Sequence, residues 1–427
     1  MAYLFYNILL TFFLLLAVPY SFFRPSFRRN LAQRLGFFPG FNHANPLWVH
    51  VASVGEVFCA IPLIKKIKKE FPHDRIMMTT MTLTGNEAAK KSLPEVDRVL
   101  FLPADHPLIL HRMLKRVQPR LLLIAETELW PNLLRASGKK GIPIILFNGR
   151  ISRKSFPRYR LLKFFFRRCL KNISLFLMQT DEDRNRIIQV GAPSERVKVV
   201  GNLKFDQTSP LFTQETKSEL AKSLTLQGKE TILIAGSTHS GEEEILIDLF
   251  NELREIDPHL VLFLAPRHLE RIEEVEKMLK KKSLPWVRRT SLSADQNRFL
   301  QEGKAPPQVI LLDTMGELMA LYSLGTLIFI GGSLVPVGGH NPLEPLFFKK
   351  CVLFGPHMFN FLEISLHLSE ARGAIQVRGK EDLASHLKRL LSDQREREET
   401  GERGYQFLQK HRGATERVIE EIRPFLT

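Results

Sequence analysis

Residues 326–346, TLIFIGGSLVPVGGHNPLEPL, decide how the rest of the chain is read. Thr326–Ile330 is a short apolar run rich in β-branched residues, which reads as a buried strand. Gly331, Gly332, Gly338 and Gly339 follow, with Pro336 between them. Asn341-Pro342-Leu343-Glu344 then reads as a helix start, with Asn as N-cap, Pro at the first helical position and Glu at the third. A strand, a glycine loop and a capped helix would aim unpaired N–H groups and a positive dipole end at one spot, a seat for a phosphate. The same residues also make a tight β–α turn that holds nothing.

Outward from this stretch, strands and helices alternate. Strand-like runs lie at 47–51, 75–80, 99–102, 121–125, 144–148, 175–179 and 197–200, each followed by helical periodicity. Residues 206–229 are polar and weakly periodic, which places a linker there. Alternation resumes with runs at 231–235, 260–265, 309–313 and 351–354, and helices fill the tail. Such alternation predicts parallel sheets covered on both faces. The expected fold is α/β, two Rossmann-like domains with a central cleft and ligands outside the carboxyl ends of the strands.

A chain of 427 residues has room for two such cores, and 44% hydrophobic with 25% charged residues is a globular composition. Three scattered cysteines fit a reducing compartment and exclude a disulfide framework. The formal charge of +16 calls for an anionic partner. Tyr3–Phe23 is almost wholly apolar and long enough to cross a bilayer. Arg24, Arg28, Arg29 and Arg34 come next, with no acid before Glu56, and such a basic flank keeps the downstream chain cytoplasmic. A membrane anchor is therefore expected over 1–25. Residues 150–170, RISRKSFPRYRLLKFFFRRCL, carry eight basic side chains and no acid, interleaved with Phe156, Tyr159, Phe164, Phe165 and Phe166. That mix suits a phospholipid surface, and the same mix can clamp nucleic acid. The apolar N-terminus favours lipid.

Several groups at strand ends could do chemistry. Glu56, in SVGE, could take a proton from an attacking hydroxyl, yet Ser53-x-x-Glu56 is also a capping box. Glu126 and Glu128, in AETELWPN, could hold an acceptor, pair with basic groups or line a solvated turn. Lys204, in GNLKFD, could reach the cleft or lie on the surface. Gly236–Glu244 is a second candidate phosphate seat, its three glutamates expected to face solvent. Pro266-Arg267-His268 supplies a guanidinium fork suited to phosphate. Asp313–Glu317 could present backbone to a base edge. HExxH, CxxC, nucleophile-elbow and Walker patterns are missing, so nothing asks for a metal.

Taken together, the chain resembles the Kdo transferases, bacterial enzymes that add 3-deoxy-D-manno-octulosonic acid (Kdo) to the lipid A precursor. The resemblance is carried by HVASVGE, ETELWPN, NGRIS, GNLKFD, IAGSTHSGEEE, APRH, DTMGEL and FIGGSLVPVGGHNPLEP, in that order. It implies a GT-B glycosyltransferase fold: an acceptor domain over 26–208, a donor domain over 209–405, and a last helix over 406–427 returning to the first domain. It implies transfer from CMP-Kdo to lipid IVA with inversion and without a metal or other cofactor. Glu56 matches the family's general base, and Glu126 and Lys204 match its transition-state stabilisers. Pro266 and Arg267, then Met315, Gly316 and Glu317, then Asn341, Pro342, Leu343 and Glu344 match its CMP-contacting segments. The expected partners are CMP-Kdo, the lipid A precursor and the inner-membrane phospholipid surface, not nucleic acid. The expected place is the bacterial inner membrane, with the catalytic domains on its cytoplasmic face. Rival readings are another GT-B transferase acting on a lipid-linked acceptor, and a non-catalytic membrane-bound nucleotide-binding protein.

Overall fold

A computed structural model describes residues 2–22, 25–38, 45–206, 213–294 and 307–426. Arg24 lies outside the described residues, as do residues 207–212 of the expected linker. The chain divides into two compact units, one of residues up to 208 together with those from 411, the other of residues 209–410.

The N-terminal unit holds seven strands: β1 (Leu47–His50), β2 (Ile76–Thr80), β3 (Arg98–Phe101), β4 (Leu121–Ala125), β5 (Ile144–Gly149), β6 (Leu175–Met178) and β7 (Val197–Val199). Their order is β3-β2-β1-β4-β5-β6-β7, every pairing parallel. Strands such as Leu121–Ala125 are apolar without alternation because both faces of the sheet are covered. Leu47, Val49 and Val51 join one buried cluster with Val57, Ala60, Leu63 and Ile64 of the helix Val54–Glu70. Trp48 points the other way, into a second cluster.

The last residues complete the first of these clusters. Ala414, Val418, Ile419, Ile422 and Leu426 belong to it. The Asp206 carboxylate fixes the point of return, accepting N–H bonds from Gly413 (2.7 Å) and Thr415 (2.5 Å).

The C-terminal unit repeats the plan with β8 (Thr231–Thr238), β9 (Leu260–Pro266), β10 (Trp286–Arg288), β11 (Val309–Leu311), β12 (Leu327–Ile330), β13 (Cys351–Phe354) and β14 (Ile375–Gln376). The order is β10-β11-β9-β8-β12-β13-β14, again parallel. The strand order switches between β1 and β4 in the first sheet and between β8 and β12 in the second. Ligands of open α/β sheets bind outside the carboxyl ends at such switches.

Four expectations on local structure are corrected. Part of the expected linker is the helix Gln214–Ser223, started by Thr213, whose side chain accepts from the Thr216 N–H. Thr84-Gly85-Asn86-Glu87 has the pattern of a capped helix start, but the helix is Leu83–Ser92 and its cap is Thr82. Asn341 caps no α-helix. Its side chain accepts from Leu343 N and donates to Glu344, and only the short 3-10 turn Pro345–Phe348 follows. Pro342 and Pro345 withhold two N–H donors there, and Lys349 ends the turn in the left-handed region (φ 55°).

The fourth correction is the membrane anchor. Ala2–Phe22 is a helix, but no helix among the described residues is long and apolar enough to cross a membrane. Its polar residues tie it to the N-terminal unit instead. Tyr6 donates to the buried Asp105 carboxylate (2.9 Å), Asn132 donates to Asn7 (2.6 Å), and the Tyr3 ring packs on Phe165. Its outer face exposes Leu4, Phe5, Ile8, Phe12, Phe13 and Leu15.

Candidate active site

Glu56 sits in the first turn of the helix that follows β1. Ser53 makes no side-chain bond to the helix start. The carboxylate itself reaches back, accepting from Ala52 N at 2.8 Å and Ser53 Oγ at 3.2 Å. Only 9% of the residue is exposed. Burial first, then the neighbouring Glu126 and Glu128, raise its pKa to about 7. The capping geometry and a proton-accepting role are therefore compatible in one side chain.

Glu126 stands at the end of β4, on the other side of the strand-order switch. It is held in the left-handed region at φ 50°, a conformation non-glycine residues adopt at some cost and which concentrates at functional sites. Its carboxylate accepts from Arg150 Nε at 2.8 Å. Glu128 accepts from Trp130 Nε1 at 3.0 Å and lies 3.8 Å from Nε2 of the fully buried His50.

Lys204 lies in the 3-10 turn Leu203–Asp206, which Asn148 positions. Asn148 also adopts a positive φ, 51°, accepts from Leu203 N at 3.0 Å and donates to Cys59 Sγ. Glu126, Lys204, Glu56 and Arg150 all act electrostatically on the buried Cys59 thiol, whose pKa burial pushes up. The structure thus gathers the three predicted side chains of this unit around one residue. The sequence places Arg150 in the basic 150–170 stretch and in the NGRIS motif, and Asn148 at a strand end and in that motif, but assigns neither a site role. The NGRIS segment, whose first two residues end β5, is the available signal for both.

In the C-terminal unit the phosphate seats differ from expectation. Glu242 and Glu243 do not face solvent; both are fully buried. Glu242 accepts from Gly332 N (2.7 Å), Ser333 N (2.9 Å), Leu334 N (2.9 Å) and His239 N (2.9 Å). Its charge fills the concavity that the glycine loop forms, so these N–H groups are occupied from within. Burial raises its pKa and the four N–H bonds pull it back. Glu243 accepts from Arg271 Nη1 at 2.6 Å. The sequence contained the signal, since three glutamates after a glycine turn are unlike an anion site.

Arg267 and the exposed His268 follow β9, with Pro266 buried as its last residue. Met315 and Gly316 are exposed after β11, and Gly316 (φ 95°) has open space where a side chain would stand. Glu317 anchors that loop, accepting from Thr314 and from Arg289 Nη2 (3.2 Å). Asn341–Glu344 follow the glycine loop, with Pro342 and Leu343 buried, and burial raises the Glu344 pKa. These segments stand after β9, β11 and β12 of one sheet. Among the described residues no group of three or more His, Cys, Asp or Glu side chains could hold a metal ion.

Two seven-stranded parallel α/β units with their polar side chains beyond the carboxyl strand ends define a GT-B-like fold. The same fold is seen in a glycosyltransferase from Rickettsia africae (TM-score 0.56, 12% identity, 91% of this chain and 100% of that one). It is also seen in a UDP-GlcNAc 2-epimerase from Neisseria meningitidis (TM-score 0.53, 15% identity, 88% and 99%). Residues 29–207 match the family model for 3-deoxy-D-manno-octulosonic-acid transferase (kdotransferase). Over 407 residues the chain is 38% identical to the 3-deoxy-D-manno-octulosonic acid transferase of Haemophilus influenzae, covering 94% of this chain and 92% of that protein. It is 36% identical over 355 residues to a bifunctional glycosyltransferase/methyltransferase of Fusobacterium nucleatum, covering 83% of this chain and 54% of that one. The chain belongs to the Kdo transferase family, and it is a glycosyltransferase.

Proposed function

We propose that the protein moves Kdo from CMP-Kdo to lipid IVA, the lipid A precursor, releasing CMP, as a step of lipopolysaccharide core biosynthesis. The observation that carries this reading is Glu56. A carboxylate with a pKa near 7, beyond a strand end and among two other acids, suits general-base work at neutral pH. Glu56 takes the proton of the acceptor hydroxyl as its oxygen attacks the anomeric carbon, with inversion. Glu126 and Lys204 stabilise charge as the new bond forms. The C-terminal unit carries the donor: Pro266, Arg267, Met315, Gly316, Glu317 and Asn341–Glu344 hold CMP, with Arg267 on the phosphate. The chemistry calls for no metal and no cofactor beyond the donor. Mass spectrometry of lipid IVA incubated with the protein and CMP-Kdo tests the reading. An added Kdo mass is expected. A lipid left unchanged by folded protein, or modified only when a UDP-sugar is supplied, would overturn it.

The acceptor side belongs at the cytoplasmic face of the inner membrane, bound there through exposed apolar and basic side chains. Of the aromatics in 150–170, Phe156, Tyr159, Phe165 and Phe166 pack inward. Leu161 (82% exposed), Leu162 and Phe164 (80% exposed) face out, among Arg158, Arg160, Lys163, Arg167 and Arg168. The exposed face of Ala2–Phe22 adjoins them through Tyr3 and Tyr6, which pack on Phe165. Apolar tips within a basic rim suit an anionic bilayer surface. Cosedimentation with vesicles containing anionic phospholipid is expected, with binding reduced about 10²- to 10⁴-fold by Leu161→Glu with Phe164→Glu, since each buried apolar side chain contributes about 1.5–3 kcal/mol. Unaltered binding of that double variant would remove this face from the proposal.

A further inference from the structure

The loop at 331–339 has its N–H groups engaged internally. Gly332, Ser333 and Leu334 donate to Glu242, while Gly338 and Gly339 donate to the Gly332 carbonyl and His340 to that of Gly331. An anion beside this loop is therefore met by side chains. Two of those side chains form a unit. His239, just past β8, and His340, in the loop after β12, lie nearly coplanar and end to end, with an interplanar angle of 6°, ring centroids 5.1 Å apart and Nε2 to Nε2 at 2.8 Å. Both rings pack over Gly332, where an added Cβ would lie 3.2 Å from one and 3.3 Å from the other. Glu242 holds the arrangement, because it binds the His239 N–H and the loop together. His268 meets His239 edge-on at 5.5 Å.

A 2.8 Å contact between two imidazole nitrogens requires one proton between them. The pair meets this when both rings are neutral, one donating and the other accepting. One further proton converts the donor ring to imidazolium and leaves the bond intact as a charge-assisted one. A second would set two N–H groups head to head. The pair therefore has room for one added proton.

We infer that the His239–His340 pair is a protonatable site for a phosphomonoester, taking one proton from solvent when the CMP phosphate binds and returning it on release. This rests on the reading of the C-terminal unit as the CMP site. The protein's own groups oppose protonation. Burial acts first on both rings, and Arg267 and His268 add repulsion to each, joined at His239 by Arg271. His340 is held down to about 4. The nearby acids do not compensate. Glu242 is engaged by four N–H groups, Glu243 by Arg271, and Glu344 faces Arg267. A phosphomonoester brings close to two negative charges at neutral pH, which reverses that balance. The sugar-linked phosphodiester carries only one. The second charge arises as the sugar–oxygen bond breaks and its electron pair stays on the phosphate. The pair thus favours the leaving group over the donor.

Isothermal titration of the full chain with CMP at pH 7.5, in buffers of different ionisation enthalpy, tests this. Uptake of about one proton per CMP is expected, with none for cytidine. His340→Gln and His239→Asn, each checked for an unchanged melting profile, are expected to abolish the uptake and weaken CMP by about tenfold or more. CMP binding without proton uptake in the unaltered protein overturns the inference and leaves the donor reading standing. So does uptake retained in both variants, or lost only in His268→Gln. Failure of the unaltered protein to bind CMP overturns both.

Discussion

Glu56→Gln is expected to lower Kdo transfer about 10²- to 10⁴-fold, the usual contribution of a positioned base, while CMP affinity stays within about twofold. Glutamine keeps the shape and can still accept from Ala52 N, but it takes no proton. The unaltered rate should fall about tenfold per pH unit below about 7, where the carboxylate becomes protonated. Glu126→Gln should move that limb to lower pH by about one unit, because a like charge is lost while Arg150 remains. Stability supplies the control. The folded-state pKa of Glu56 is raised, so the fold binds this proton more tightly than the unfolded chain does. Its carboxylate form disfavours the fold above pH 7, and that penalty fades as pH falls toward the ordinary carboxyl range. At pH 8 the Gln variant should melt no lower than the unaltered protein. Normal transfer by Glu56→Gln would remove Glu56 from the base role.

Glu242→Ala is expected to have the largest effect on stability. It leaves four N–H groups without their acceptor, in a loop packed too tightly to admit a substitute easily. Breaking a buried charged network of this kind costs about 3–5 kcal/mol. For a unit of this size that lowers the melting temperature by about 10 °C. Scanning calorimetry should show the loss in one transition, accompanied by loss of CMP binding. Glu242→Gln, which keeps one accepting oxygen, should fall between. An unshifted melt of the Ala variant would show that the carboxylate does not pin the loop.

The sheets were legible because their strands are uninterrupted apolar runs, and Leu121–Ala125 or Leu327–Ile330 admit few other readings. The gathering of Glu56, Glu126 and Lys204 was legible only through motif order, since the residues joining them are far apart in sequence. Asn148, which ties the Lys204 turn to β5, looks like any strand-end polar residue until its positive φ is seen. Glu242 misled for a related reason. A local reading assigns a run of three glutamates to solvent, and only the folded chain brings the N–H groups of 332–334 against one of them, some ninety positions away. The N-terminal helix misled through composition. Its apolar length suggested a span, whereas Tyr3, Tyr6 and Asn7 face partners on the domain.

The Asp206 clamp has a consequence for synthesis. The chain leaves the N-terminal unit at 208 and rejoins it at 411, so the part translated first is completed last. At about 5–20 residues per second, roughly 10–40 s pass on the ribosome between those two points. Throughout that interval the groove that will receive Val418, Ile419 and Ile422 stands uncovered beside the helix carrying Glu56. The C-terminal unit, contiguous in sequence, is free to fold within the same interval. The nascent chain therefore pairs a finished half with an open apolar groove, and its need for chaperone shelter should end as residue 426 clears the exit tunnel.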